Sequence, residues 1–283
     1  MSAFGLTMFV TDYTIDIVTL ARKAEALGFE SLFVPEHPII PYEMTTPFAG
    51  NPDGILPDFY KHTLDPFAAL AAAAAVTERL RVGTAICLVP ERNPLITAKE
   101  VATVDLLSKG RFEFGIGAGW LREESEVFGV DFPRRWAQTK DCMLAMKACW
   151  GPDPAEHHGK YVDFPKLWCH PKPVQKPHPP VLMAGEGKGL AKRIAEFGDG
   201  WLPRARNMSP AEMEAGRKRV EEAMVEVGRD PATLTVGLFG AKPDKEESRR
   251  YFDAGADRII LMLPSEDEAK TTARLDEWAA QLL

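Results

Sequence analysis

The chain is poor in cysteine. Its 283 residues hold four, Cys87, Cys142, Cys149 and Cys169, and none forms a C-x-x-C pair. Neither a disulfide scaffold nor a zinc ribbon is indicated. A basic excess is also missing. Lys and Arg number 34 against 41 Asp and Glu, a formal net charge of −7, which disfavours a nucleic-acid binder relying on phosphate neutralisation. The segment from Met1 to Asp12 has no basic stretch before an apolar run, as a signal peptide would. No uncharged apolar stretch reaches membrane-spanning length, and the Ala-rich run from Pro66 to Val76 is too short. The expected setting is therefore the cytoplasm, with reduced thiols, no membrane and no nucleic-acid partner. Histidines are few, six in all.

What is present is an ordinary globular composition, 45% hydrophobic and 27% charged. Short apolar runs alternate with helical patterns along the whole chain. Strands are expected near 4–9, 31–35, 80–88, 112–116, 180–184, 200–203, 234–239 and 258–263. Each is a short apolar run, as expected for parallel strands buried on both faces. Helices are expected near 14–27, 66–77, 93–109, 134–149, 187–197, 209–228, 244–254 and 267–282. Asp65-Pro66 and Asn93-Pro94 place a capping side chain before a proline at the first helical position. Ser209 with Glu212 and Ser265 with Glu268 read as capping boxes. Gly28, Gly110, Gly198 and Gly255 stand at four similar helix-to-strand joins, where a left-handed residue is expected.

Eight strands each followed by a helix close most naturally as an α/β fold of the (β/α)8 TIM-barrel type, a single domain over residues 1–283. An open doubly wound sheet is the alternative, but no Gly-rich turn follows the first strand. Two insertions exceed the minimal unit. Residues 38–65, with Pro38, Pro41, Pro47, Pro52 and Pro57, leave the C-terminal end of a strand and read as a wall or lid over the site. Residues 151–179 are again Pro-rich and precede the strand at 180–184.

Reactive groups in such a barrel gather at the C-terminal strand ends. Only His37 among the histidines abuts one, so a metal hydrolase built on paired histidines has little support, and no metal is expected. His157-His158 reads as a solvated loop pair. No strand carries a lysine suited to a Schiff base. Glu36 with Glu123 or Glu124 could serve as paired glycosidase carboxylates only by forcing. Cofactor chemistry remains. Gly185-Glu186-Gly187-Lys188-Gly189 opens a helix directly after a strand, where free backbone amides and a lysine suit a phosphate. Gly117-Ala118-Gly119 offers a second bare backbone surface for a flat ring.

The string LRVGTAICLVPERNPLITAKEVATVDLLSKG running into RFEFGIGAGWLREESEVFG resembles the bacterial-luciferase-like superfamily, and within it the coenzyme F420-dependent oxidoreductases. EALGFESLFVPEH and KPHPPVLMAGEGKGLAKRIAEFGDGWLP resemble the same family. The resemblance implies a luciferase-like barrel that binds the deazaflavin F420, or alternatively FMN, at its C-terminal mouth. It implies His37 for proton transfer, with Glu36 beside it. Thr84, Ala85 and Ile86 would support the ring, with a non-prolyl cis peptide at Ala85–Ile86. Gly117, Gly119 and Trp120 would line the ring or its side chain, and Gly185, Glu186, Gly187 and Lys188 would hold the phosphate. Arg122, Arg204 and Arg206 would attract an anionic tail, and Trp120, Trp201 and Phe9 would pack an apolar substrate. Asp105 and Ser108 read as structural groups that bond local backbone.

The sugar-phosphate dehydrogenase branch carries a glutamate where this chain has Trp120, and true luciferases carry an arginine near Ala118. Those departures favour hydride transfer between F420 and a small organic substrate. The alternatives are an FMN-dependent monooxygenase fed by a separate flavin reductase, and a non-catalytic flavin- or F420-binding barrel. The resemblance also implies a homodimer.

Overall fold

Apolar strands that bury both faces need a covering layer on each side, and this chain supplies it by closing the sheet on itself. The computed structural model describes residues 3–51 and 53–283; Met1, Ser2 and Pro52, the last among the loop prolines counted above, lie outside the described residues. The barrel strands are β1 (Ala3–Thr7), β2 (Ser31–Val34), β3 (Arg81–Leu88), β4 (Phe112–Gly117), β7 (Val181–Ala184), β8 (Gly200–Leu202), β9 (Thr235–Ala241) and β10 (Arg258–Met262). Every neighbouring pair is parallel, and β1 pairs with β10 to close the ring. Between β4 and β7 lies a separate antiparallel hairpin, β5 (Ala155–His158) with β6 (Asp163–Leu167).

The outer ring is α1 (Ile17–Leu27), α2 (Pro66–Ala75), α3 (Pro94–Leu107), α5 (Arg135–Trp150), α6 (Leu190–Phe197), α7 (Pro210–Glu226), α8 (Lys245–Asp253) and α9 (Glu268–Leu282). Each falls inside an expected helical segment except α5, which runs one residue past the expected end at 149. A short α4 (Arg122–Val127) was not expected. Its sequence, REESEV, has too few apolar residues to show a period. The caps behave as their side chains dictate. Asp65 accepts from the Ala68 amide, Asn93 from Leu95 and Ile96, and Ser209 with Glu212 forms the complete box. The second expected box is corrected: Asp267, not Ser265, caps α9 by accepting from the Lys270 amide, and the Ser265 hydroxyl instead donates to the Phe9 carbonyl. Gly28, Gly110 and Gly255 adopt positive φ, but Gly198 is extended at φ −103°. Its small size is what matters there, since an added Cβ would lie 3.1 Å from Ile194 Cα.

The barrel interior is filled by Phe33, Ala85, Leu182, Leu202 and Ile260. Phe33 fits because its neighbour on β3 is Gly83, where a Cβ would lie 2.6 Å from the ring. Below this layer, Glu113 is buried and held by Arg258 (2.6 Å) and by Arg81, while Glu30 also binds Arg258 (2.7 Å). This charged plug shuts the N-terminal end and leaves the C-terminal end open.

The two insertions leave opposite ends. Residues 38–65 follow β2 at the open end. Residues 151–179 join α5 to β7, and Asp105 and Phe112 tie them to the closed end through Gln175. Asp105 is thus structural, but it bonds a distant segment; only the Ser108 hydroxyl bonds locally, to the Asp105 carbonyl. His157 is no solvated loop residue either. It sits on β5 and bonds Asp141 at 2.9 Å, while His158 is exposed.

The Glu113 plug predicts a stability phenotype. Burial alone would raise its pKa, but Arg258 first and Arg81 next hold it below 4.5. A depressed carboxyl stabilises the fold above its unfolded pKa and loses that contribution as pH falls through the folded value. Glu113→Gln is expected to cost about 3 kcal/mol in urea unfolding at neutral pH and to remove part of the acid sensitivity below pH 4.5.

Candidate active site

At the open end, β2, β3, β4, β7, β8, β9 and β10 surround a cavity of about 510 Å³. That falls within the range of small-molecule sites. Its floor is the top of the barrel interior, with Ala85, Leu202 and Phe239 shared by both. Its wall is aromatic. Tyr60 packs 4.5 Å from Phe9, 5.0 Å from His37 and 5.2 Å from Phe48, which packs 5.6 Å from Trp120. Phe48 and Tyr60 come from the insertion after β2, so that segment does form a wall. Glu123 holds it in place. One carboxylate oxygen accepts from the Thr45 amide (2.8 Å), the Thr45 hydroxyl (2.6 Å) and the Thr46 amide (3.0 Å). The Thr45 hydroxyl leads in holding the Glu123 pKa down to about 2.

His37 and Glu36 follow β2 directly, and both line the cavity. Glu36 is fully committed. Its oxygens accept from the Leu88 amide (2.7 Å) and from Arg92 (2.5 Å), which also binds Asp65 and Glu100. His37 is buried, with Nδ1 2.7 Å from Glu124 and Nε2 accepting from the Trp120 indole at 3.3 Å. A ring nitrogen that accepts carries no hydrogen. The neutral ring therefore has its proton on Nδ1, donated to Glu124. Burial pulls the His37 pKa down to about 4, against the charge of Glu36.

Behind this histidine stand two more buried acids. Glu91 accepts from the Ser125 hydroxyl at 2.7 Å, and Gly119, at φ +79°, leaves room for it: a Cβ there would lie 2.8 Å from the Glu91 carboxylate. Burial, then Glu124, push Glu91 up to about 8. Burial also pushes Glu124 up to about 8, with Glu36 adding to it against the Ile39 amide. Two of their oxygens, Glu91 Oε2 and Glu124 Oε1, have no hydrogen-bond partner among the described residues.

The expected cofactor residues divide between places. Ala85, Ile86, Gly117, Gly119, Trp120 and Gly185 line the main cavity, and the Ala85–Ile86 peptide is cis as expected. Thr84 is buried and does not line the cavity, its hydroxyl donating to the Gly115 carbonyl. Glu186, Gly187 and Lys188 line a second cavity of about 400 Å³, with Trp201 and Arg219. The Glu186 carboxylate is bound by Arg204 at 2.7 Å. Arg206 lines the main cavity, while Arg122 is exposed and reaches Glu126. Trp201 is buried and lies outside the main cavity.

Several groups escaped the sequence reading. Glu91 was hidden in the apolar stretch LVPE, although a carboxylate at a strand end is itself a signal. Arg135 donates to the Gly119 and Phe132 carbonyls, and Arg193 stacks 4.4 Å over Trp136 at the cavity wall. Burial lowers the pKa of each, and Arg135 lowers that of Arg193 further. A bare backbone at Gly117 and Gly185, an aromatic wall and cations at the rim fit a flat ring carrying an anionic tail.

A closed parallel barrel with such a cavity at its C-terminal mouth defines a class of small-molecule enzymes. The chain belongs to the luciferase-like monooxygenase family, whose model matches residues 11–281. An uncharacterised protein of Mycobacterium tuberculosis is 36% identical over 282 residues, covering 99% of this chain and 98% of its own. An FMNH2-dependent dimethylsulfone monooxygenase of Pseudomonas putida is 25% identical over 184 residues, 63% of this chain and 49% of its own. An F420-dependent secondary alcohol dehydrogenase, solved with an F420–acetone adduct, shares the fold at TM-score 0.76 and 19% identity, over 99% of this chain and 98% of its own. Luciferase-like oxidoreductases of both cofactor types are thus neighbours of this chain. Among the described residues no helix is long and apolar enough to cross a membrane.

The raised Glu91 pKa has a measurable consequence. A carboxyl with folded pKa near 8 and an ordinary value of 4.5 stabilises fully below 4.5 and loses that contribution as pH rises through 8. Glu91→Gln keeps an oxygen for Ser125 and has no such loss. Wild-type stability relative to Glu91→Gln is expected to fall across pH 4.5 to 8, approaching about 1.4 kcal/mol per pH unit. Urea midpoints measured through that window check it.

Proposed function

We propose that this chain is an F420-dependent oxidoreductase that moves a hydride between the deazaflavin and a small organic substrate, with His37 as the proton-transfer residue. The observation that carries the reading is the His37 Nε2 lone pair at the wall of an aromatic cavity. The bound cofactor supplies hydride chemistry. The chain supplies the rest. Ala85, Ile86, Gly117 and Gly119 form the surface on which a ring rests, and Phe9, Phe48, Tyr60 and Trp120 exclude water around it. Glu36 keeps the end of β2 fixed through Arg92 and the Leu88 amide, a holding role. His37 stays neutral at neutral pH, so Nε2 takes a proton from an alcohol once the substrate hydroxyl displaces the Trp120 indole, and the proton so gained is the one returned to a carbonyl in the reverse direction.

The anionic tail is assigned to Gly185, Gly187 and Lys188, with Arg135, Arg193 and Arg206 adding positive field. Ala118 lines the cavity where luciferases carry an arginine, which supports F420 over FMN. The FMN-dependent monooxygenase reading is kept because a reduced-FMN enzyme is among the relatives. Its activity would need a separate flavin reductase. A homodimer acting in the cytoplasm completes the proposal.

Absorbance titration with each cofactor tests this. F420 is expected to bind, and tight FMN binding with no F420 binding overturns the assignment. Arg193→Ala and Arg135→Ala are expected to weaken F420 binding, with the loss shrinking as salt screens the charges. His37→Ala is expected to lower turnover about 10²- to 10⁴-fold across a panel of alcohols, enones, imines and quinones, with cofactor affinity unchanged. Unchanged turnover removes His37 from the proposed role.

A further inference from the structure

Three carboxylates are buried together at the C-terminal ends of β2, β3 and β4: Glu36, Glu91 and Glu124, exposed by 3%, 5% and 0%. The guanidinium bound among them, Arg92, spends itself on Glu36, Asp65 and Glu100. Glu91 and Glu124 have no ion-pairing cation among the described residues. What they do have is a hydroxyl, Ser125, on Glu91, and an imidazole, His37, on Glu124. Two uncompensated carboxylates at one buried place cannot both ionise, so at least one keeps a proton. The unpartnered Glu91 Oε2 is an oxygen on which that proton can sit, which leaves Glu124 the ionised member.

The other groups packed on His37 do not compete for this part. Tyr60 holds its proton, since burial pushes it up to about 12. Trp120 only donates. Glu36 is occupied on both oxygens.

We propose that Glu124, in its ionised form with the retained proton resting on Glu91, is a positioning residue and proton acceptor for His37, so that a proton taken at Nε2 leaves from Nδ1 to Glu124 Oε2. In the oxidising direction a substrate O–H displaces the Trp120 N–H from Nε2. The O–H bond breaks as an N–H bond forms at Nε2. The Nδ1–H bond breaks as an O–H bond forms on Glu124. The ring ends neutral, with its proton on the opposite nitrogen, and the reverse sequence returns the proton. Protons alone move through the relay, and the hydride goes elsewhere. The imidazole therefore never has to remain a buried cation, which its surroundings oppose.

This inference rests on the proton-transfer role of His37 but is read first without cofactor or substrate. Protein labelled with ¹³C at the glutamate carboxyls is titrated by NMR. Two carboxyls are expected to ionise well above the ordinary carboxylate range; Glu124→Gln removes one and lowers the midpoint of the other, and Glu91→Gln removes the second. Ordinary midpoints for both overturn the proposal, and the wild-type titration decides this even if Glu124→Gln fails to fold. Imidazole ¹⁵N shifts are expected to keep the Nδ1–H form in Glu124→Gln, because the amide oxygen still accepts from it. That variant preserves position and abolishes proton uptake. In the cofactor-loaded enzyme its kcat is expected to fall at least tenfold with KM unchanged, and Glu124→Asp to restore part of it. Wild-type kcat and pH profile in Glu124→Gln leave Glu124 a structural prop and overturn the relay. An inactive wild type with raised carboxyl midpoints would instead count against the functional reading alone.

Discussion

The ion pair between Glu36 and Arg92 is the constraint on which the open end of this barrel depends. It fastens the end of β2 to the end of β3 through the Leu88 amide and reaches α2 and α3 through Asp65 and Glu100. Burying an ion pair costs desolvation, and it is tolerated where further hydrogen bonds complete the shell. Here they do, and the result is that the very next residue, His37, is presented to the cavity in one orientation. The acid that bonds its far side arrives from α4, and the indole that bonds its near side arrives from the end of β4. The ends of β2 and β4 thus meet on one ring.

Most of the architecture was legible from the residues. The eight barrel strands are short, predominantly apolar runs, and proline-punctuated caps at Asp65, Asn93 and Ser209 mark helix starts that the structure keeps. What escaped notice was polar. The REESEV turn of α4 has no apolar stripe. The β5–β6 hairpin reads AEHH and DFPKL, with a proline inside its second strand, and nothing in that pattern announces pairing. The Gly198 join looked like three others in letters yet differs in backbone, because similar spacing does not specify why a glycine is needed.

The site was legible in part, and largely through resemblance. His37 stood out as the one histidine abutting a strand end, and the glycines at 117, 119 and 185 as bare backbone. Glu91 and Glu124 follow strand ends, but position alone does not separate them from less buried acids such as Glu123 and Glu126. Their meaning comes from being packed together, a property of the closed barrel and not of any stretch of sequence. The same holds for Arg135 and Arg193, which lie far apart along the chain and come together beside Trp136.

Glu123 and Glu124 are consecutive on α4, yet they face different tasks. The first latches the Thr45–Thr46 segment over the mouth, and the second bonds the histidine below it. One peptide unit links latch and acid. The hold on the wall and the contact with the imidazole therefore share one short helix, so a displacement of Thr45 and Thr46 would bear on the residue next to the buried acid.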